Sequence, residues 1–176
     1  MIHAMKREHY NEKAEFWIGL ALFVIITSVG AYAVHALTIR FDANAIQTGI
    51  QKMVQNVRAM PDLPTGSGLT DITAPLLAAH LIPVEIREAG LPIRISLNRA
   101  TIIPIIEINI GKLSKDRCNA YLERLTKQPR KNGLYAIWVA GPGVMVKDFP
   151  VAIPFAGCRG SSIELQLQYR LVPTSY

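Results

Sequence analysis

Residues 16–39 contain no Asp, Glu, Lys or Arg. As an α-helix this 24-residue run is about 36 Å long. That exceeds the roughly 30 Å hydrocarbon core of a bilayer. The run is too long for the apolar region of a secretory signal, and no small-x-small cleavage site followed by a turn ends it. It therefore predicts a retained membrane helix. Phe16 and Trp17 stand at one end, where aromatic rings suit the interface. Gly19, Thr27, Ser28 and Gly30 interrupt the run with small residues that let helices approach closely in lipid. His35 lies near the far end and is expected at the interface rather than in a proton or metal role. Lys6, Arg7 and Lys13 favour a cytoplasmic N-terminus, because the interleaved Glu8, Glu12 and Glu15 do not cancel the bias set by basic residues.

Helical periodicity continues past Arg40. Ile46, Ile50, Met53, Val54 and Val57 recur at i, i+4, i+7, i+8 and i+11, which is one stripe on a helix. Gln47, Gln51, Lys52, Gln55 and Arg58 fall largely elsewhere, and Pro61 and Pro64 stop the pattern. The chain therefore predicts one helix over 16–59, roughly 66 Å long. Its first half suits lipid or other helices. Its second half suits a globular domain on one side. The expected organisation is a short cytoplasmic leader-like segment (1–15), a long helix (16–60, with 16–39 transmembrane and 40–60 amphipathic) and a globular α/β head (61–176).

The head reads as α+β. "DLPTGSGLTD" is a turn-rich connector, and "ITAPLLAAHLIP" a short apolar helix ending before Pro83. "IRISL" and "TIIPIIEINI" are strand candidates, with Pro104 demoting part of the second to an edge or bulge. "LSKDRCNAYLERLTKQP" is a helix, with Ser114 as its N-cap and Asp116 in its first turn. "LYAIWVAG" and "GVMVKDF" are strand-like runs joined through Gly141, Pro142 and Gly143. In "SIELQLQYRL", Ile163, Leu165, Leu167, Tyr169 and Leu171 alternate with Glu164, Gln166, Gln168 and Arg170, as in a half-buried antiparallel strand.

The net charge of +6 sits entirely after residue 39, because the leader's charges balance. An anionic surface partner is open on that account. The cluster Lys127, Arg130 and Lys131 reads as a solvated loop. His3, His9, His35 and His80 are dispersed, and no G-x-S-x-G, P-loop or H-E-x-x-H occurs. Glu107, a lone acid in an apolar strand, is expected on the solvent face. No catalytic residue, metal ligand, cofactor or small-molecule substrate is expected. Cys118 and Cys158 pair if the head is exported, and otherwise are two buried thiols.

The order of elements resembles type IV pilins, and the details resemble the type IVb (PilS-like) branch. "IQKMVQNVRAM" followed by "GLTDITAPLLAAHLIPVEI" is similar to that family's second helix half, loop and short helix. "DRCNAYLERL" and "GCRGSSIELQLQYRL" are similar to its cysteine-bearing helix and closing strand. The resemblance implies a filament subunit held in the bacterial inner membrane as a single pass before assembly. It implies a Cys118–Cys158 disulfide, partners in further copies of the chain and in the assembly machinery, and an extracellular filament serving adhesion, conjugation or motility. It implies an assembly helix built on Glu15, Phe16, Trp17, Gly19, Leu20, Leu22, Phe23, Ile26, Val29, Gly30 and Ala33, with Ile46, Ile50, Met53, Val54 and Val57 packing under the head. The leader departs from the family. No Gly precedes Phe16, and cuts after Ala14 or Glu15 place Gly19 or Leu20, not Glu, fifth. A non-polymerising inner-membrane component, or a minor pilin of a secretion or conjugation machine, is the alternative reading.

Overall fold

The computed structural model describes residues 2–126, 133–139, 143–145 and 158–172, with side chains for 16–126, 133–139 and 158–172. The side chains of the leader-like segment, Glu15 included, lie outside the described residues. So do the cluster Lys127, Arg130 and Lys131 and the turn residues Gly141 and Pro142. Helix α1 runs Ile2–Ala59, so it begins well before the predicted start. The chain divides into two compact units, Met1–Thr38 and Ile39–Tyr176.

The first unit is helix alone. Three of its hydroxyls, those of Thr27, Ser28 and Thr38, bond back to the helix backbone. Thr27 Oγ1 donates to Phe23 O at 2.9 Å, Ser28 Oγ to Val24 O at 2.7 Å, and Thr38 Oγ1 to Val34 O at 2.9 Å. Hydroxyls satisfied this way need no water, as a helix in hydrocarbon requires.

The second unit is an α+β head. After residues 39–59 of α1 come β1 (Leu69–Asp71), α2 (Thr73–Ala78), α3 (Val84–Glu88), β2 (Ile93–Asn98) and β3 (Ile105–Leu113). Then follow α4 (Lys115–Leu125), β4 (Leu134–Val139), β5 (Gly143–Met145) and β6 (Ile163–Arg170). The strands form one antiparallel six-stranded sheet in the order β1-β2-β3-β6-β4-β5. The predicted closing strand thus lies in the middle of the sheet, between β3 and β4. Its alternation holds: Ile163, Leu165, Leu167 and Tyr169 are buried, and Leu171 lies just past its end, partly buried. Pro104 sits outside β3, which starts at Ile105. Its carbonyl accepts from Leu171 N at 2.9 Å.

Ala43, Ile46, Ile50, Met53, Val54 and Val57 of α1 share one buried cluster with Ile95, Leu97, Ile106, Ile108, Ile110, Leu165 and Leu167 of the sheet. Two glycines mark close approaches here. A Cβ on Gly49 would lie 2.8 Å from Ile86 Cγ1, so α3 seats directly on α1. Gly133 has φ +72, and a Cβ there would meet the Arg58 guanidinium at 2.5 Å. Arg58 donates through Nε and Nη2 to Arg170 O at 3.2 and 2.7 Å, tying α1 to the end of β6.

Strand β1 lies where the sequence reads as connector, and helix α3 follows Pro83, where the sequence predicts no helix. β1 has three residues and α3 five. Neither is long enough to display a period, and both exist because the sheet edge and Gly49 receive them. Helix α4 begins as predicted: Ser114 Oγ accepts from Arg117 N at 3.4 Å, and Asp116 lies in the first turn. Cys118 and Cys158 are joined in a disulfide and both are buried.

Candidate functional site

Two surfaces of the described residues stand out. One is the apolar stretch of α1. Phe16, Trp17, Leu20, Leu22, Phe23, Ile26 and Val29 are all exposed, as is Ala33. A Cβ on Gly19 or Gly30 would touch nothing within 4 Å. The helix is long and apolar enough to cross a membrane, and its apolar window has no buried residue. The change along α1 is abrupt: Phe41 is 71% exposed and Ala43 is 1% exposed.

Asp42 marks that change. Its Oδ2 accepts from Tyr121 Oη at 3.0 Å and forms an ion pair with Arg117 Nε at 3.1 Å. The disulfide-bearing α4 is thereby bound to α1 at the point where the head begins. Burial, with the Asp42 charge added, raises the Tyr121 phenol above its ordinary value, so it stays a donor at physiological pH. Sequence reasoning missed this triad. Asp42 and Tyr121 are 79 residues apart, and no local pattern links them.

The second surface is the outer face of the sheet, and here Glu107 corrects an expectation. It is not a solvated acid but only 7% exposed. Its carboxylate accepts from Asn98 Nδ2 at 2.9 Å and Gln168 Nε2 at 3.4 Å on Oε1, and from Gln166 Nε2 at 3.0 Å on Oε2. Strand alternation does place Glu107 on the face away from α1. Crowding by long amides from β2 and β6 then removes it from water. Three donors compensate the desolvation, as a buried carboxylate demands. The paired register Arg94↔Asn109, Asn109↔Gln166 and Gln166↔Trp138 carries this polar face across four strands.

Two clefts open on the head. One, about 280 Å³, is lined by Lys52, Asn56, His80 and Glu85 among others. His80 is exposed at φ +56, and Lys52 donates to Glu85. That bond holds the Glu85 carboxyl below the usual range. The other, about 550 Å³, lies against β2, β3 and β6 and includes Arg94, Asn109, Lys112, Ser162 and Glu164. Among the described residues no three His, Cys, Asp or Glu side chains group as metal ligands.

The surface chemistry is thus that of an apolar helix joined to a disulfide-bonded α+β head. No protein-family model, curated protein or solved structure matches this chain.

Proposed function

We propose that this chain is a structural subunit of a type IV-like pilus filament. The apolar half of α1 holds it in the bacterial inner membrane as a single pass, with the N-terminus cytoplasmic, and then packs against the same helix of other copies. The observation that carries this reading is one unbroken helix with two kinds of surface. Residues 16–35 are uncharged and exposed, while Ala43, Ile46, Ile50, Met53, Val54 and Val57 form part of the core of an α+β head. An apolar surface of that extent needs lipid or other helices around it. A plain anchor needs no second half built into a folded domain. The late disulfide fits an oxidising compartment, as an exported head requires.

The head faces outward, where it serves adhesion, conjugation or motility. The test is the composition of purified surface filaments. This chain is expected as their repeating component, and its confinement to membrane fractions at low copy number defeats the filament reading.

The alternative is a non-polymerising, single-pass component of a secretion or conjugation machine, or a minor pilin. One observation favours it: no Gly precedes Phe16, and Glu is not fifth after either cut considered. Intact mass of assembled material separates the two. A subunit found in filaments with Met1 retained shows that cleavage is dispensable here.

A further inference from the structure

The outer face of the sheet holds a set of polar groups that the filament reading does not use. Trp138 is 38% exposed on β4 and has no ring partner among the described residues. It stands in register with Gln166, which pairs with Asn109, which pairs with Arg94. Three strand spacings of about 4.8 Å separate Trp138 from Arg94, so the row is about 14 Å long. The cleft of about 550 Å³ opens beside it. Around that cleft, the side chains of Asn109, Lys112, Ser162 and Glu164 make no hydrogen bond or ion pair among the described residues. Gln166 differs: Glu107 holds its amide nitrogen at 3.0 Å, which turns the amide oxygen away from the carboxylate.

We propose that this row and cleft, with Trp138, Gln166, Asn109 and Lys112 as contacts, bind an oligosaccharide that carries a carboxylate. The chemistry matches part by part. The apolar C–H face of a sugar ring packs on an indole, and the indole's polar edge tolerates water. Vicinal hydroxyls match planar amides, which offer a donor and an acceptor side by side. Fixing Gln166 through Glu107 lowers the ordering cost of binding. Lys112 supplies a cation that makes no ion pair among the described residues. Its left-handed backbone, φ +57, lies in the irregular β3–β6 pairing between Ile110 and Leu113. Glu164, in the lining of the same cleft, accepts from sugar hydroxyls. A nucleic acid is disfavoured, because one exposed indole is not a stacking platform for successive bases.

The inference uses the head alone and does not depend on polymerisation. The test therefore uses the full chain as a monomer in detergent, applied to an immobilised panel of neutral, uronate-bearing and sialylated oligosaccharides. Wild type is expected to bind carboxylated members over their neutral counterparts. Trp138→Ala and Gln166→Ala, both on the solvent face, are expected to weaken binding at least tenfold with unchanged circular dichroism. Lys112→Ala is expected to remove the preference for the carboxylate while keeping neutral binding. Glu107→Gln is expected to weaken binding without altering that preference. Leu77→Ala, exposed on α2 away from the row, is the matched control and changes nothing. The proposal is overturned if wild type retains no saccharide, or if Trp138→Ala and Gln166→Ala bind as wild type does. Equal retention on immobilised single-stranded DNA of similar charge also overturns it, because binding is then plain electrostatics.

Discussion

Helix α1 has the same backbone geometry in its two halves and opposite surface rules. In residues 16–35 the apolar side chains point in every direction and stay exposed. In residues 43–57 they gather on one stripe and vanish into the head, with Ile50, Met53 and Val57 fully covered. The difference lies in what each half packs against. A stretch that suits lipid or other helices needs no polar side, so apolar residues can occupy every face, and here the Thr27, Ser28 and Thr38 hydroxyls bond back to their own helix. A stretch against a sheet has one dry side only, and Gln, Lys and Asn occupy the other. Propensity makes both halves helical, and environment decides where each half puts its hydrophobes.

The comparison breaks most visibly in the core. Ile50→Ala is expected to destabilise the head by about 4 kcal/mol, from lost transfer energy and the cavity left behind. Leu22→Ala, an equal truncation in the exposed half, is expected to leave the thermal midpoint of the detergent-held protein unchanged. Equal losses from the two variants defeat the distinction between the halves. Replacing Cys118 and Cys158 with Ser opens a crosslink spanning 40 residues. In the chain-entropy treatment that removes about 3–4 kcal/mol, read as a lower denaturation midpoint with the slope preserved. Equal mobility and mass with and without reductant speak against the crosslink itself.

Val29→Asp reverses the logic. A carboxylate in mid-bilayer costs about 3 kcal/mol, so membrane retention and filament yield should collapse while the head melts normally in detergent. Normal yield contradicts a buried role for this stretch. Asp42→Ala strips the acceptor from Tyr121 and the partner from Arg117 at the border between the halves. It is expected to cost about 2 kcal/mol in urea unfolding, because a buried phenol and a guanidinium lose their partner. Asp42→Asn, which keeps an acceptor for Tyr121, is expected to recover part of that loss.

The smallest effect is with pH. Glu85 is depressed chiefly by its hydrogen bond from Lys52, and Asp71 chiefly by bonds from Thr73. Groups depressed in the folded state stabilise it above their unfolded values, near 4, and that stability disappears as pH falls through the folded values. Both sit at the surface, so the expected change in thermal midpoint between pH 5 and pH 3 is slight. It should shrink further in Lys52→Met, whose Glu85 lacks the donor. An unaltered acid limb in that variant removes Glu85 from the account.

Much of this was written along the chain. The uncharged run, the i, i+4, i+7 stripe after it, the Ser114 cap and the alternation of β6 are local patterns. Length and charge identify the first, hydrophobic period the stripe and the strand, and capping chemistry the helix start. The α+β class and the border between the two halves of α1 follow from them. What the residues could not display is which distant side chains meet. Glu107 reads as a solvated acid because alternation puts it on the outer face. Only strand order brings Gln166 and Gln168 of β6 to one side of it and Asn98 of β2 to the other. The Asp42–Arg117–Tyr121 junction, Arg58 on Arg170, and Gly49 under Ile86 are likewise contacts across tens of residues. Local sequence dictates period and so fixes which face of each element is apolar. Tertiary structure decides which polar groups share the other face, because hydrogen bonds between distant residues depend on register and strand order.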